Sequence, residues 1–256
     1  MDTRFWGPAG WQLYHLIAET YDEKKQEKYE LFFNSMKFVL PCRFCRESSA
    51  KFLEELPLHS SMKSKNTLTK WLYNFHNLVN NKLRMQCKED PKVICPPPDP
   101  SYEKVREVYK ELLSVPPNAP PGLDFLFCVA YNYSDSPSTD TIQAYFHTFK
   151  GLAEIYPYPE LRKIIKKHSV QYPVENALKS REQLLHWWYN LAKKLCAATG
   201  FEIGSFRGTL QKYGRIKSSC NRGKTCRNGR KIRDHAKTFK ITHERLVHLP
   251  SSVRLE

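Results

Sequence analysis

The sequence predicts an all-α fold, and three observations support that class. Apolar side chains recur at helical spacing through the first ninety residues, prolines separate the segments that carry this spacing, and no convincing strand flanks the one Cys-x-x-Cys pair. Of the 256 residues, 41% are hydrophobic and 13% aromatic, which is ample for a packed core. No apolar run reaches the roughly 18 residues that a transmembrane helix needs, so no membrane span is predicted.

The N-terminal residues predict two consecutive helices. The apolar face of the first consists of Trp11, Tyr14, His15 and Ala18. The Gly7-Pro8 pair suits its first turn, because the missing N–H of proline costs nothing there. The second helix is expected over residues 26–39 and ends before Leu40-Pro41.

Two further helices complete a predicted bundle. The third begins at Cys42 and runs to about residue 55. The fourth covers residues 68–83, and Asn66-Thr67 supplies a capping residue before it. Its apolar stripe is Leu68, Trp71, Leu72, Phe75, Leu78, Val79 and Leu83. Four antiparallel helices with short links are typical of a helical bundle.

A stiff proline-rich segment, residues 95–100, is expected to end the first domain. The sequence therefore predicts a domain over residues 1–95, a second and mostly helical domain over residues 101–211, and a basic tail over residues 212–256. Helices in the second domain are expected over residues 101–114, 123–131, 139–155, 159–167 and 180–198. From Ser205 onward the chain has 14 Lys and Arg but three Asp and Glu, so most of its net charge of +15 lies at this end.

The cysteine spacing points to redox chemistry. Among eight cysteines, only Cys42 and Cys45 have the Cys-x-x-Cys spacing. A zinc site needs a second close pair of ligands, so no metal is predicted. A helix N-terminus favours the thiolate, and the pair is therefore predicted to be a redox-active disulfide. Cys128 and Cys196 are expected to be free core residues.

Three motifs in order, within about residues 4–90, closely resemble those of the Erv/ALR family of FAD-linked sulfhydryl oxidases. They are Arg4-x-x-Gly7-x-x-x-Trp11-x-x-x-His15, Cys42-x-x-Cys45 and His76-Asn77-x-Val79-Asn80-x-x-Leu83. The resemblance implies a four-helix bundle with a short fifth helix, bound FAD and a homodimer. It also implies that electrons pass from protein thiols through the cysteine pair and FAD to O2, with release of H2O2.

The resemblance also implies roles for single residues. Cys42 would receive the substrate thiolate, and Cys45 would contact the flavin. Trp11, His15 and His76 would pack around the adenine. The full set of implied FAD-binding residues is Arg4, Gly7, Trp11, His15, His76, Asn77, Asn80 and Lys82.

The chain departs from the family in its other cysteines. Many members have a structural disulfide with one cysteine just before the His-Asn motif, where this chain has Tyr73. Cys87 and Cys95 both follow the motif, so that disulfide is expected to be absent or rewired. Either Cys87–Cys95 or Cys220–Cys226 could relay electrons from substrates, and a third alternative is that neither pair does.

The basic tail leaves a second function open. Clustered Lys and Arg bind phosphate backbones through counterion release, so the alternative is a nucleic-acid-binding or virion-scaffolding protein with a structural Cys-x-x-Cys. A solvated tail without a partner is equally open. The N-terminus lacks the basic and apolar segments of a signal peptide. The extra helical region resembles the architecture of enzymes from large cytoplasmic DNA viruses, which implies a location in the virion or the host cytoplasm.

Overall fold

A computed structural model describes residues 1–90 and 95–216. In these ranges the regular elements are all helical, so the all-α prediction is confirmed. The helices are α1 (Thr3–Glu19), α2 (Gln26–Asn34), α3 (Met36–Val39), α4 (Arg43–Glu55), α5 (Lys65–Glu89), α6 (Tyr102–Ser114), α7 (Leu123–Tyr131), α8 (Thr139–Ile155), α9 (Pro159–Gln171), α10 (Val174–Ala177), α11 (Arg181–Thr199) and α12 (Phe206–Gly214).

Helix α1 begins one turn earlier than the Gly7-Pro8 pair predicts. Asp2 is its N-cap residue, and the Asp2 carboxylate accepts a hydrogen bond from the backbone N–H of Arg4 at 2.9 Å. Such a cap satisfies an N–H group that has no partner within the helix. Pro8 therefore lies inside α1 rather than in its first turn.

The segment predicted as one helix over residues 26–39 is divided at Ser35 into α2 and α3. The Ser35 hydroxyl donates to the Phe32 carbonyl at 2.6 Å and pairs with the Thr148 hydroxyl of α8 at 2.7 Å. A serine hydroxyl that bonds a preceding carbonyl competes with the helical pattern, which explains the break. The same residue connects the N-terminal bundle to α8.

Helix α5 extends beyond the predicted residues 68–83 at both ends. Its cap is Ser64 rather than the predicted Asn66-Thr67 pair. Ser64 and Thr67 form a capping box, in which each side chain bonds the backbone N–H of the other. The result is a 25-residue helix that carries half of the candidate site.

The buried apolar residues form one continuous core. Helix α1 packs against α5, α6 and α7, while α2 and α3 pack against α8. The approach of α1 to α7 depends on Gly122, which has a φ of +76°, because an added Cβ there would lie 2.6 Å from Leu13. The predicted division into residues 1–95 and 101–211 stays a prediction, and the packing shows that both parts contribute to this core.

The predicted tail begins inside α12. Tyr213 is buried, and its hydroxyl donates to the Asp124 carboxylate of α7 at 2.6 Å. Lys212 pairs with the same carboxylate at 2.9 Å. The first residues assigned to the tail are therefore helical, whereas residues 217–256 lie outside the described part. Across residues 1–90 and 95–216, no helix combines the length and hydrophobicity that a membrane span requires.

Candidate active site

The Cys42–Cys45 pair lies where the chain enters α4. Cys42 is the N-cap residue of this helix, and its Sγ accepts a hydrogen bond from the backbone N–H of Cys45 at 3.2 Å. Both side chains are free thiols, so the structure corresponds to the reduced pair. Cys42 is only 2% exposed, whereas Cys45 is half-buried. The expectation that the pair opens a helix is confirmed.

The two thiols differ in acidity. The pKa of Cys42 is lowered from 9.0 to about 7, mainly by a hydrogen bond from the Cys45 thiol, while burial opposes this shift. The pKa of Cys45 is raised well above its usual value by the same hydrogen bond and by burial. Cys42 is therefore the more acidic of the two sulfurs and the one that forms the thiolate near neutral pH.

Lys82 of α5 lies beside the cysteine pair. Its Nζ donates to the Ser48 hydroxyl at 2.5 Å, and Ser48 follows Cys45 by one helical turn. The positive charge of Lys82 is one of the causes that lower the pKa of Cys42. The structure thus places this predicted cofactor residue near the sulfur atoms.

One aromatic cluster contains four residues from three helices: Trp11 and His15 of α1, His76 of α5 and Tyr109 of α6. The rings of Trp11 and His76 are stacked, with centroids 3.8 Å apart and planes 11° apart. His15 Nε2 lies 3.2 Å from His76 Nδ1, within hydrogen-bonding distance. His15 also stacks on Tyr109 of α6, with ring centroids 4.6 Å apart. The fold therefore brings Trp11, His15 and His76 together, as the resemblance implies.

Both imidazoles of the cluster are neutral at pH 7. Burial lowers the pKa of His76 to about 4, and the Asp99 carboxylate opposes this shift. Burial, followed by the neighbouring His76, lowers the pKa of His15 well below its usual value. One neutral ring can donate an N–H to a lone pair of the other. The cluster is thus an uncharged aromatic surface suited to a planar ligand.

Arg4 and Gly7 precede Trp11 on the same face of α1. The Arg4 guanidinium donates to both carboxylate oxygens of Asp2, from Nε at 3.0 Å and from Nη2 at 2.6 Å. A Cβ added at Gly7 would meet nothing within 4 Å, so the surface at this residue is open. The structure therefore places Gly7 beside free space and Arg4 in an ion pair.

Asn77 and Asn80 follow His76 on α5, and both are half-buried. The Asn80 Nδ2 donates to Asp99 Oδ1 at 2.7 Å. Asp99 belongs to the proline-rich segment before α6. One hydrogen bond of Asn80 is thus satisfied by the chain itself.

Tyr109 and Asp99 are site residues that the sequence motifs did not identify. Both lie beyond the His-Asn motif. Two features of the sequence could have pointed to them. Tyr109 lies in the helix predicted over residues 101–114, and Asp99 is an acidic residue among the prolines of residues 95–100. Neither signal says which residues of the bundle these side chains contact.

The remaining cysteines differ in state. Cys87 and Cys95 form a disulfide with a Cα–Cα distance of 5.4 Å, and this pair is one of the two that the sequence offers as an electron relay. Cys128 and Cys196 are buried free thiols, as predicted. The Cys220–Cys226 pair lies outside the described residues. Within residues 1–90 and 95–216, no group of three or more His, Cys, Asp or Glu side chains is arranged to hold a metal ion.

Comparison with known proteins assigns the part of the chain that holds this site. A family model described as the Erv1 / Alr family matches residues 8–94. Residues 8–94 are therefore similar to an Erv1/Alr-family domain. A probable FAD-linked sulfhydryl oxidase of Acanthamoeba polyphaga mimivirus is 38% identical over 85 residues, which are 31% of this chain and 59% of that protein. The mitochondrial FAD-linked sulfhydryl oxidase of Saccharomyces cerevisiae is 31% identical over 83 residues, which are 30% of this chain and 42% of that protein.

The chain thus spans less than two thirds of the length of these relatives. No solved structure gives a significant match. The matched range, residues 8–94, contains the Cys42–Cys45 pair and three residues of the aromatic cluster. Asp99 and Tyr109 lie beyond it, so this chain completes the surroundings of the site with residues from its own continuation.

Proposed function

We propose that this chain is an FAD-dependent thiol oxidase that forms disulfides in protein substrates, with transfer of the electrons to O2 and release of H2O2. The observation that carries the proposal is the Cys42–Cys45 pair at the start of α4 in an Erv1/Alr-family domain. The relatives described above are named for the same activity. The lowered pKa of Cys42 supports disulfide exchange at this pair near neutral pH.

The residues of the site fit FAD. Trp11 and His76 are half-buried neutral rings beside the open surface at Gly7. Their direct stacking at 3.8 Å leaves no room for a third ring between them, so their free faces are the ones available to a planar ligand.

Trp11, His15, His76, Asn77 and Asn80 would hold the cofactor through stacking and hydrogen bonds. Lys82, whose Nζ bonds Ser48 beside the cysteine pair, would also bind the cofactor, and Cys45 would be the sulfur that faces the flavin. When bound, FAD supplies a two-electron acceptor that O2 reoxidises.

The cysteine pair performs the exchange with substrate. A substrate thiolate attacks Cys42 Sγ of the oxidised pair, forms a mixed disulfide and releases Cys45 as the thiolate. A second substrate thiolate attacks the substrate sulfur, releases Cys42 and leaves a substrate disulfide. The pair has then gained two electrons and two protons as two thiols. The low pKa of Cys42 makes it a good leaving group in the second step.

Access to Cys42 requires local movement. Cys42 is 2% exposed in the reduced state, and the backbone carbonyl of the preceding Pro41 accepts a hydrogen bond from the Met1 amine at 2.8 Å. A protein thiol can reach the Cys42 sulfur only when neighbouring residues shift. We therefore include opening at the N-terminal end of α4 as a step of the proposed reaction.

The proposal covers the partners that the resemblance implies. They are protein thiols, O2 and a second copy of the chain in a homodimer, with a location in the virion or the host cytoplasm. The nucleic-acid-binding or scaffolding alternative is not favoured, because the matched family and the relatives described above point to oxidase activity. The observation behind this alternative is the basic tail, which lies largely in residues 217–256, outside the described part.

A peroxide assay with dithiothreitol tests the proposal. The FAD-loaded full-length chain should release H2O2, and Cys45→Ala should abolish this release because the pair can no longer cycle. Cys196→Ala is the matched control, since Cys196 is a free thiol buried in another part of the core and should not be needed for activity. Release of H2O2 by Cys45→Ala at the wild-type rate would contradict the proposal.

A further inference from the structure

The segment before α6, together with the first residue of that helix, runs back along α5 as a strap, defined here as residues 95–102. Its contacts with α5, in order along the strap, are the Cys95–Cys87 disulfide, the Pro97–Arg84, Asp99–Arg84, Asp99–Asn80 and Pro100–Tyr73 hydrogen bonds, and the Tyr102–Thr69 hydrogen bond. The Tyr73 hydroxyl donates to the Pro100 carbonyl at 2.9 Å. Successive strap residues therefore meet successively earlier turns of α5.

Asp99 is the central contact of this strap. Its side chain is only 17% exposed. Oδ1 accepts hydrogen bonds from Asn80 Nδ2 and Arg84 Nη2, both at 2.7 Å, and Oδ2 accepts from Arg84 Nη1 at 2.8 Å. The Arg84 hydrogen bonds keep the pKa of Asp99 below its usual value, so the group is a carboxylate near neutral pH.

A carboxylate only accepts hydrogen bonds, and this fixes how Asn80 is oriented. An asparagine amide has one donating and one accepting end. Because the Asn80 Nδ2 faces Asp99, its Oδ1 is directed away from the strap. Asn80 follows His76 by one turn on the same face of α5, and the Asp99 carboxylate acts on the His76 ring, so the Asn80 amide lies on the face of α5 that carries the aromatic cluster.

Resting on the proposed function, we propose that Asp99 is a positioning residue that fixes the amide of Asn80 so that its carbonyl oxygen accepts a hydrogen bond from the bound flavin nucleotide. The partner is then an N–H or O–H donor of a base or sugar. A phosphate at neutral pH carries few donors, and the Arg84 charge is already paired with Asp99. The contacts of the strap thus favour a base or sugar group of the nucleotide over a phosphate as the partner of Asn80.

Equilibrium titration of the cofactor-free full chain with FAD tests this role. In Asp99→Asn either end of the Asn80 amide can face the strap, and we expect FAD affinity to fall about tenfold, the equivalent of one hydrogen bond. The double variant Asn80→Asp with Asp99→Asn exchanges the two groups. It keeps an acceptor at position 80 and a donor at position 99, so affinity should return to within about threefold of wild type.

Two further variants separate positioning from a purely structural effect. Arg84→Gln removes the ion pair but leaves the Asp99–Asn80 hydrogen bond, so it should lower the thermal midpoint without the tenfold loss of affinity. Glu103→Gln makes the same charge change as Asp99→Asn at an exposed residue and should leave affinity unchanged. An Asp99→Asn protein with wild-type affinity would overturn the inference. So would a double variant no better than Asp99→Asn, or an Arg84→Gln protein that loses affinity to the same extent.

Failure of this inference is distinct from failure of the proposed function. A wild-type chain that binds no FAD contradicts the proposed function itself. A wild-type chain that binds FAD, together with any of the three contradicting results for the variants, refutes only the role of Asp99.

Discussion

A buried ion pair holds helix α6 against the bundle. Replacement of Arg106 should therefore lower the free energy of unfolding of the protein. Arg106 donates to both carboxylate oxygens of Glu19, from Nε at 2.8 Å and from Nη2 at 3.1 Å. Its third contact is Asn66 Oδ1 at 2.8 Å. The Glu19 side chain is 4% exposed and that of Arg106 17%. Arg106→Met therefore leaves a buried carboxylate without its partner.

Removal of one partner from a buried ion pair costs about 3–5 kcal/mol. Because Arg106 is partly exposed, we expect the lower end, a decrease of about 3 kcal/mol in the free energy of unfolding. Lys163→Met is the matched control: its pair with Glu160 has side chains 74% and 80% exposed, so the change should be below about 0.5 kcal/mol. Urea titration followed by circular dichroism measures both values.

A double variant supplies the internal check. Glu19→Leu with Arg106→Met replaces both charges by apolar groups and should recover most of the lost free energy of unfolding. If Arg106→Met lowers that free energy by less than about 1 kcal/mol, or if the double variant is less stable than the single one, the ion pair does not hold α6 as described.

Three further predictions concern the cysteines and the aromatic cluster. Replacement of Cys87 and Cys95 by Ser removes a cross-link between residues eight apart and should lower the free energy of unfolding by about 2–3 kcal/mol in the same urea titration, whereas no change would contradict a stabilising role. In Cys45→Ala the thiol that stabilises the Cys42 thiolate is absent, so the pKa of Cys42 should rise from about 7 toward 9; a value that stays near 7 by ultraviolet thiolate absorbance contradicts that cause. The pKa of His76 is about 4 in the fold and 6.5 in the unfolded chain, so the free energy of unfolding should fall as the pH drops from about 6.5 to 4. Because the His76 side chain is partly exposed, we expect a decrease of about 2 kcal/mol. Thermal midpoints measured across this pH range should fall less in His76→Phe than in wild type.

The helices of the bundle could be predicted from sequence because helical periodicity is a local property. The errors occurred where a single polar side chain overrides it. Asp2 starts α1 early, Ser35 divides the second predicted helix, and Ser64 starts α5 before the predicted cap. Such effects involve single hydrogen bonds, and apolar spacing does not report them.

The sequence predicted the site residues that belong to the three motifs, but not those that follow the last motif. The spacing of Trp11, His15 and His76 predicts the faces of two helices, and the fold joins those faces. Tyr109 and Asp99 belong to segments that reach the cluster through tertiary packing. The disulfide of Cys87 was left open by the sequence, because several cysteines could have paired.

The proposed electron path runs from thiols through Cys42 and Cys45 to bound FAD. Anaerobic titration of the FAD-loaded full-length chain with dithiothreitol, followed at the flavin absorbance band near roughly 450 nm, tests it most directly. Wild-type protein should lose this absorbance rapidly, and Cys45→Ala should bind FAD but keep its absorbance. A protein that takes up no flavin, or a Cys45→Ala variant that bleaches as fast as wild type, would contradict this electron path.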